Sequence, residues 1–321
     1  MAIVSAVCAS LSVATELALA QSPRYPSKPI RIIVPYPPGG PIDTTTRLIT
    51  PRMSDALGRP LIIENRSGAN TLIGTDLVAK SAPDGHTLLM VTSTISINPS
   101  TYKKLPYDTL NDLIPLSVVI STPFTLNTHP SLPVKNAAEL VKLARARPGH
   151  LLYPSSGVGS SNHLAIALMS RMAGVDTTHI PYKGTAQWLT DLVAGQVHFA
   201  LTSPLAALPL ARAGKTKLLA TSGAKRLQII PDVPTISESA VRGFEAGNWH
   251  AMFAPAGTPR EVITRLHAEI MRSLAAPETQ SKFVESGAQT IGMAPDEFAV
   301  YFRSEIAKWA KAVKLAGVTA E

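Results

Sequence analysis

Cysteine occurs once in the 321 residues, at Cys8. Beyond the first twenty residues the chain therefore offers no disulfide and no cysteine-ligated metal. Charged residues are only 16%, against 45% hydrophobic, which excludes wholesale disorder and leaves material for a sizeable core. Aromatics are 5%, and the basic residues fall in short pairs such as Lys103-Lys104 and Lys225-Arg226. The net charge of +8 thus forms no stripe interleaved with stacking rings, and a nucleic-acid partner is not expected. A diffuse positive field suits anionic ligands instead. The eight histidines are never closer than 13 positions (His150 and His163), so H-E-x-x-H is absent. There is no G-x-S-x-G. Ser100-Thr101-Tyr102-Lys103 and Ser222-Gly223-Ala224-Lys225 match S-x-x-K without its S-D-N and K-T-G partners. Gly214-Lys215-Thr216 lacks the upstream glycine of a P-loop, and Gly157-Val158-Gly159 leads to Asn162 where a dinucleotide loop needs glycine. Neither a metal nor a cofactor is expected, and no apolar run reaches the ~20 residues that span a bilayer.

The first twenty residues differ from the rest. Met1–Ala20 holds a short apolar run, lacks Lys and Arg, and ends Ala18-Leu19-Ala20 before Gln21-Ser22-Pro23 changes its character. This reads as a secretory signal peptide, interrupted by Glu16, and implies export, with a poorly ordered N-terminal extension as the alternative. Ser5-Ala6-Val7-Cys8 is a poor lipobox, so no lipid anchor is expected.

The remaining chain is long enough for two domains. It alternates short apolar runs with helical patterns: Ile30–Val34, Leu61–Ile63 and Thr87–Val91 as strands, with Leu48, Ile49, Met53 and Leu57 on one helix face. A second series follows with strands at Phe124–Asn127, Leu151–Tyr153, Phe199–Leu201 and Lys217–Ala220, and a helix over 137–146. Such alternation predicts βαβ units and a largely parallel sheet. The C-terminal part is helical, with Phe298, Phe302, Ile306, Trp309 and Val313 on one face. Two α/β halves without a flexible linker suggest two lobes with crossings near Ser121–Phe124 and Trp249–Ala254. The division expected is 21–122 with 251–321 as lobe 1, and 123–250 as lobe 2.

Two strand-to-helix loops stand out. Pro37-Pro38-Gly39-Gly40-Pro41-Ile42-Asp43 combines glycines that allow close backbone approach with a proline suited to a first helical turn. Ser155-Ser156-Gly157-Val158-Gly159-Ser160-Ser161-Asn162-His163 offers four hydroxyls and a second helix start. Helix N-termini present free N–H groups and partial positive charge, so loops facing each other across a cleft could grip an anion. Tyr182 and Lys183, in Pro181-Tyr182-Lys183-Gly184-Thr185, could add a wall. Asp43 and His163 have capping or bracing roles open beside a ligand role. The tryptophans read as core, Trp249 least firmly.

An ordered set of segments resembles the substrate-binding proteins of tripartite tricarboxylate transporters, the Bug family. It includes Val34–Gly40 with Asp43 and Arg47, Glu64-Asn65-Arg66-Ser67-Gly68-Ala69, Ala82-Pro83-Asp84-Gly85, Leu105-Pro106-Tyr107-Asp108, Ser155–Leu164, Pro181–Gly184, Pro231–Thr235 and Ala254–Pro259. The resemblance implies a two-lobed α/β periplasmic-binding-protein fold, type II-like, with two crossings. It also implies a periplasmic, monomeric, non-enzymatic protein that captures a small carboxylate and hands it to membrane transporter subunits. Carried over residue by residue, the implied site comprises Tyr36, Pro38, Gly39, Gly40, Asp43, Ser155, Ser156, Gly157, Gly159, Ser160, Ser161 and His163. Where relatives often carry Asp after the Phe199 strand, this chain has Thr202 and Ser203. Hydroxyls there favour a plain mono- or dicarboxylate, aromatic ones included, over an amino acid. Two alternatives stay open: presentation of the ligand to a membrane sensor, and a Ser/His hydrolase built from the Ser155–His163 loop.

Overall fold

Ile30-Arg31-Ile32-Ile33-Val34 is a β-branched run around one arginine, and it forms β1 (Ile30–Val34). The computed structural model, which describes residues 25–318, continues through α1 (Pro41–Leu57), β2 (Leu61–Asn65), α2 (Leu72–Ala79), β3 (Thr87–Thr92), α3 (Thr94–Thr101) and β4 (Leu113–Pro123). Next come β5 (Thr125–Thr128), α4 (Ala137–Ala146), β6 (Leu152–Ser155), α5 (Ser161–Ala173), β7 (Thr178–Pro181), α6 (Thr185–Val193), β8 (Phe199–Thr202), α7 (Pro204–Arg212), β9 (Lys217–Thr221) and α8 (Ile236–Ser239). The last elements are β10 (Gly247–Pro255), α9 (Arg260–Ala275), α10 (Pro277–Glu285), β11 (Gln289–Thr290) and α11 (Pro295–Ala316). The expected signal peptide, residues 1–20, lies outside the described residues.

The strands form two groups. A six-stranded sheet has the order β11-β4-β10-β3-β1-β2, while a three-stranded sheet, β8-β5-β9, lies in the other group with the β6-β7 pair. Each group carries its own core. Ile32, Leu89, Phe253 and Phe298 belong to the first, and Leu126, Tyr153, Ile166 and Phe199 to the second. The molecule is therefore a two-lobed α/β protein.

The expectation of a largely parallel sheet needs correction. β1 runs parallel to β2 and β3, but β10 is antiparallel to both β3 and β4, and β5 is antiparallel to both β8 and β9. The reason is the connection between lobes. β4 leaves the first sheet and β5 begins after one residue, Phe124, whereas β10 carries the chain back beside β4. An outgoing and a returning strand that lie side by side must run in opposite directions.

Ser222 joins the two crossings. Its N–H donates to Phe124 O (2.8 Å), and its Oγ accepts from Phe124 N–H (2.7 Å). The same hydroxyl donates to Ala246 O, while Ala246 N–H donates to Ser222 O (2.9 Å). The return thus takes place at Ala246–Gly247. Trp249–Ala254, expected at the crossing, lie inside β10, and Gly247–His250, expected in lobe 2, belong to the six-stranded sheet.

Candidate functional site

Where the lobes meet, a half-open cavity of about 50 Å³ is lined by Tyr36, Gly40, Ile42, Thr92, Thr94, Asn248 and His250 from the first lobe and the strands feeding it. The second lobe contributes Ser156, Ser160, Ser161, Asn162, Thr185, Trp188, Leu201, Thr202 and Ser203, with Phe124 at the crossing. None of these carries a formal charge at neutral pH. Burial holds His250 down to about 3, so it is a neutral imidazole. Burial likewise raises the Tyr36 phenol, an effect its bonds to Thr92 and Thr94 reduce.

Positive potential comes from the backbone instead. Helices α1, α5, α6 and α7 begin at the cavity wall, at Gly40, Ser160, Gly184 and Ser203, and none of these caps spends a side chain on its own helix. Their first-turn N–H groups, to which Pro41 of α1 and Pro204 of α7 contribute none, have no partner within the helix. Each terminus also carries roughly half a positive charge. Among the described α-helices only α4 and α8 are closed by a side chain, Asn136 and Thr235, so it is their position at the cavity that distinguishes the starts of α1, α5, α6 and α7.

Side-chain donors are oriented by fixed partners. Asn248 Oδ1 accepts from the backbone N–H (3.2 Å) and hydroxyl (2.7 Å) of Ser93, and because a backbone N–H can only donate, Nδ2 is the atom left over. Asn162 is oriented the same way, with its Oδ1 accepting from the backbone N–H of Ser156 (3.4 Å). Tyr36 Oη lies 2.7 Å from Thr92 Oγ1, which bonds Thr94 Oγ1 at 3.0 Å. The N–H of Ser161, from the opposite lobe, reaches Thr94 Oγ1 at 3.4 Å. His250 Nδ1 is 2.9 Å from Thr45 Oγ1 on α1.

Of the residues expected from sequence, Tyr36, Gly40, Ser156, Ser160, Ser161, Thr202 and Ser203 line the cavity. The others stand behind or beside it. Pro38 and Gly39 are exposed at the loop tip, where Gly39 adopts φ +80° and a side chain would meet open space. Asp43 is buried and fully engaged. It accepts from Gly39 N–H (3.0 Å), Asn65 Nδ2 (3.1 Å) and, through both oxygens, Arg47. Burial alone would raise its pKa, but these partners bring it below the ordinary value, so it is an ionised brace. Ser155 is wholly buried, 2.6 Å from His179 Nε2 and bonded to Gly157. His163 accepts from Gly159 N–H (3.0 Å) and stacks on His179 at 3.8 Å between ring centroids. Gly157 and Gly159 face Asn70 and Thr101 of the other lobe rather than the cavity. Tyr182 donates to Asp191 (2.6 Å), and Lys183 is exposed.

Sequence reasoning missed Thr92, Thr94, Asn248 and His250; Trp188, read as core, is indeed wholly buried with Leu192, Val197 and Ala200, and it also borders the cavity. Asn248 and His250 alternate on β10, so recognising that strand would have put both on one face. Among the described residues no cluster of three His, Cys, Asp or Glu could hold a metal, and no helix is long and apolar enough to cross a membrane.

Comparisons with known proteins give consistent findings. The family described as "Tripartite tricarboxylate transporter family receptor" matches residues 45–318. Protein BugT of Bordetella pertussis is 35% identical over 295 residues, 91% of this chain and 90% of that one. An R. palustris protein, Rpa4515, solved with adipate, superposes with TM-score 0.89 at 37% identity over 92% of this chain and 99% of its own. The periplasmic binding protein BugD gives TM-score 0.89 at 32% identity, over 92% and 100%. MatC from Rhodopseudomonas palustris with bound malate gives TM-score 0.86 at 32% identity, over 90% and 100%.

Proposed function

The chain belongs to the tripartite tricarboxylate transporter receptor family, and from that premise we propose that it is a periplasmic solute-binding protein that captures a small carboxylate and delivers it to membrane transporter subunits. One observation carries the ligand class. The cavity offers N–H and O–H donors and four uncapped helix N-termini, with no acidic group on its lining. An anion is the complement of such a wall. Relatives solved with adipate and with malate support an acid of this kind.

Size narrows the choice. A cavity of about 50 Å³ is well below the ~150 Å³ that accommodates benzene. A short aliphatic acid fits this conformation better than an aromatic one. The protein acts as a monomer without metal or cofactor, and binding draws the lobes together because the ligand touches both only when they are closed. A hydrolase reading gains nothing from the Ser155–His179 pair, since that hydroxyl is wholly buried and off the cavity wall.

The test is a thermal-shift and calorimetric screen of residues 21–321 against mono-, di- and tricarboxylates, aromatic acids and amino acids. At a hundredfold excess over Kd a ligand stabilises by about 2.7 kcal/mol, or on the order of 5 °C for a chain of this size. A shift with short aliphatic acids is the expected result. No shift with any acid, in protein freed of endogenous ligand by unfolding and refolding, would overturn the proposal.

A further inference from the structure

Buried polar atoms without a partner are costly, so those that persist call for an explanation. Among the described residues, two such atoms belong to side chains that line the cavity: His250 Nε2 and Trp188 Nε1. They come from opposite lobes, His250 from β10 and Trp188 from α6. Exposure of the two residues is 1% and 0%.

The protonation of His250 follows from its other nitrogen. Nδ1 is bonded to Thr45 Oγ1, a wholly buried hydroxyl with no other hydrogen-bond partner among the described residues. If Nδ1 carried the proton, the Thr45 hydroxyl hydrogen and Nε2 would both be unpaired. If Thr45 donates to Nδ1, only one group is left over, an Nε2–H donor. The second arrangement strands fewer groups. Trp188 Nε1–H is a donor in any case.

We infer that His250 and Trp188 are ligand-contacting specificity residues, one N–H from each lobe, which together select a ligand with an acceptor oxygen at either end and reject one bearing an ammonium group. The inference rests on the carboxylate reading above. An amino group bound against either donor would meet an N–H group and, elsewhere on the lining, helix N-termini and no carboxylate. Thr45 is a positioning residue: it fixes which imidazole nitrogen carries hydrogen.

The test is calorimetry with succinate, malate, adipate, aspartate and propionate on wild type, His250→Phe, His250→Gln, Trp188→Phe and Thr45→Val. A hydrogen bond to a charged group accounts for roughly ten- to a hundredfold in affinity. His250→Phe and Trp188→Phe are expected to weaken the best-bound diacid by that factor each, with His250→Gln recovering part of the loss through its amide N–H. Aspartate is expected to bind wild type at least tenfold more weakly than malate. Because a core variant can fail to fold, ¹⁵N-resolved spectra of wild-type His250 supply a second measurement. Hydrogen should reside on Nε2, its resonance should move on adding diacid, and Thr45→Val should redistribute it. A wild type that binds diacids while both Phe variants bind within twofold, or an Nε2 that is unprotonated or unmoved, overturns the inference and leaves the carboxylate reading standing. A wild type that binds no acid overturns both.

Discussion

Asp43 places a carboxylate one turn from the cavity proposed to take anions, and the structure resolves the conflict by consuming both oxygens. Arg47, Asn65 and the Gly39 N–H neutralise it, and the bond to Gly39 holds the left-handed residue of the Pro37–Gly40 loop. Asp43→Ala should therefore cost about 1–3 kcal/mol in urea unfolding and weaken acid binding by loosening the loop. Unchanged affinity at reduced stability would show that the brace serves the fold alone. Three imidazoles behave alike with respect to acid. Burial lowers His250 to about 3, burial with the neighbouring His179 lowers His163 to about 3, and burial lowers His179 to about 4. Each folded value lies below the unfolded one, so as pH falls the unfolded chain takes up protons first. The stability involved is complete above about pH 6.5 and is lost as pH falls towards those values. Between pH 7 and pH 5, His250→Gln should lose about 2 kcal/mol less stability than wild type, at about 1.4 kcal/mol per pH unit below 6.5. Equal losses by urea titration would mean that His250 is not held neutral. The place of the hydroxyl loop on the cavity wall was legible in the sequence because Ser156, Ser160 and Ser161 are local to one motif. His250 was not, since its meaning depends on Thr45, 205 positions away.

At the scale of elements, the alternation of apolar runs gave β1, β3 and α4 nearly to the residue, because each is a local pattern. β4 and β10 escaped it. Pro115 and Pro123 break the first run, and β10, buried on both faces, alternates Asn248 and His250 with Trp249 instead of alternating buried apolar with exposed polar residues. These are the two strands of the six-stranded sheet that lead to and from the other lobe, and their pairing is set by the return of the chain rather than by local propensity. α11 shows the opposite case, a periodicity read correctly whose partners were invisible. Phe298 and Phe302 pack against Phe253 in the first lobe, while Trp309 and Val313 join Ile97 of α3 and Leu164 of α5, one from each lobe. Between these stretches Glu305 is buried and accepts from Trp249 Nε1 (3.0 Å) and Trp309 Nε1 (3.2 Å), with Lys308 on its other oxygen. Glu305→Leu would strand two indole N–H groups and should destabilise by about 2–4 kcal/mol. Glu305→Gln keeps an acceptor and should cost less than half as much. Similar losses for both in urea unfolding would point to the charge, and not to the paired N–H groups, as the stabilising feature.

For the whole molecule, on the proposed reading in which binding draws the lobes together, the question is what limits closure. The lobes touch where the backbone is bare. Gly184 of the second lobe lies under Pro37 of the first, and a Cβ there would fall 2.7 Å from Pro37 Cδ and 3.0 Å from its Cγ. The φ of Gly184 is 175°, an extended value open to any residue, so the constraint is contact between lobes and not conformation. Gly39 differs: its added side chain meets nothing, but its φ of +80° disfavours any L-residue. The sequence marked both as glycines in loops, and only the assembled structure separates a closure contact from a conformational one. Gly184→Ala should leave each lobe intact, because α6 and its packing do not depend on that hydrogen. Closure, however, would have to stop several tenths of an ångström short, or Pro37 would have to shift. The melting temperature without ligand should stay within a degree or so of wild type, while acid affinity falls about tenfold or more and scattering with ligand reports a larger radius of gyration. Gly39→Ala should lower stability as well as affinity, since its cost is paid in the open form too. If Gly184→Ala bound as wild type and compacted equally on ligand addition, the Pro37 contact would not limit closure, and the approach of the lobes would have to be set elsewhere, at Gly157 against Asn70 or Gly159 against Thr101.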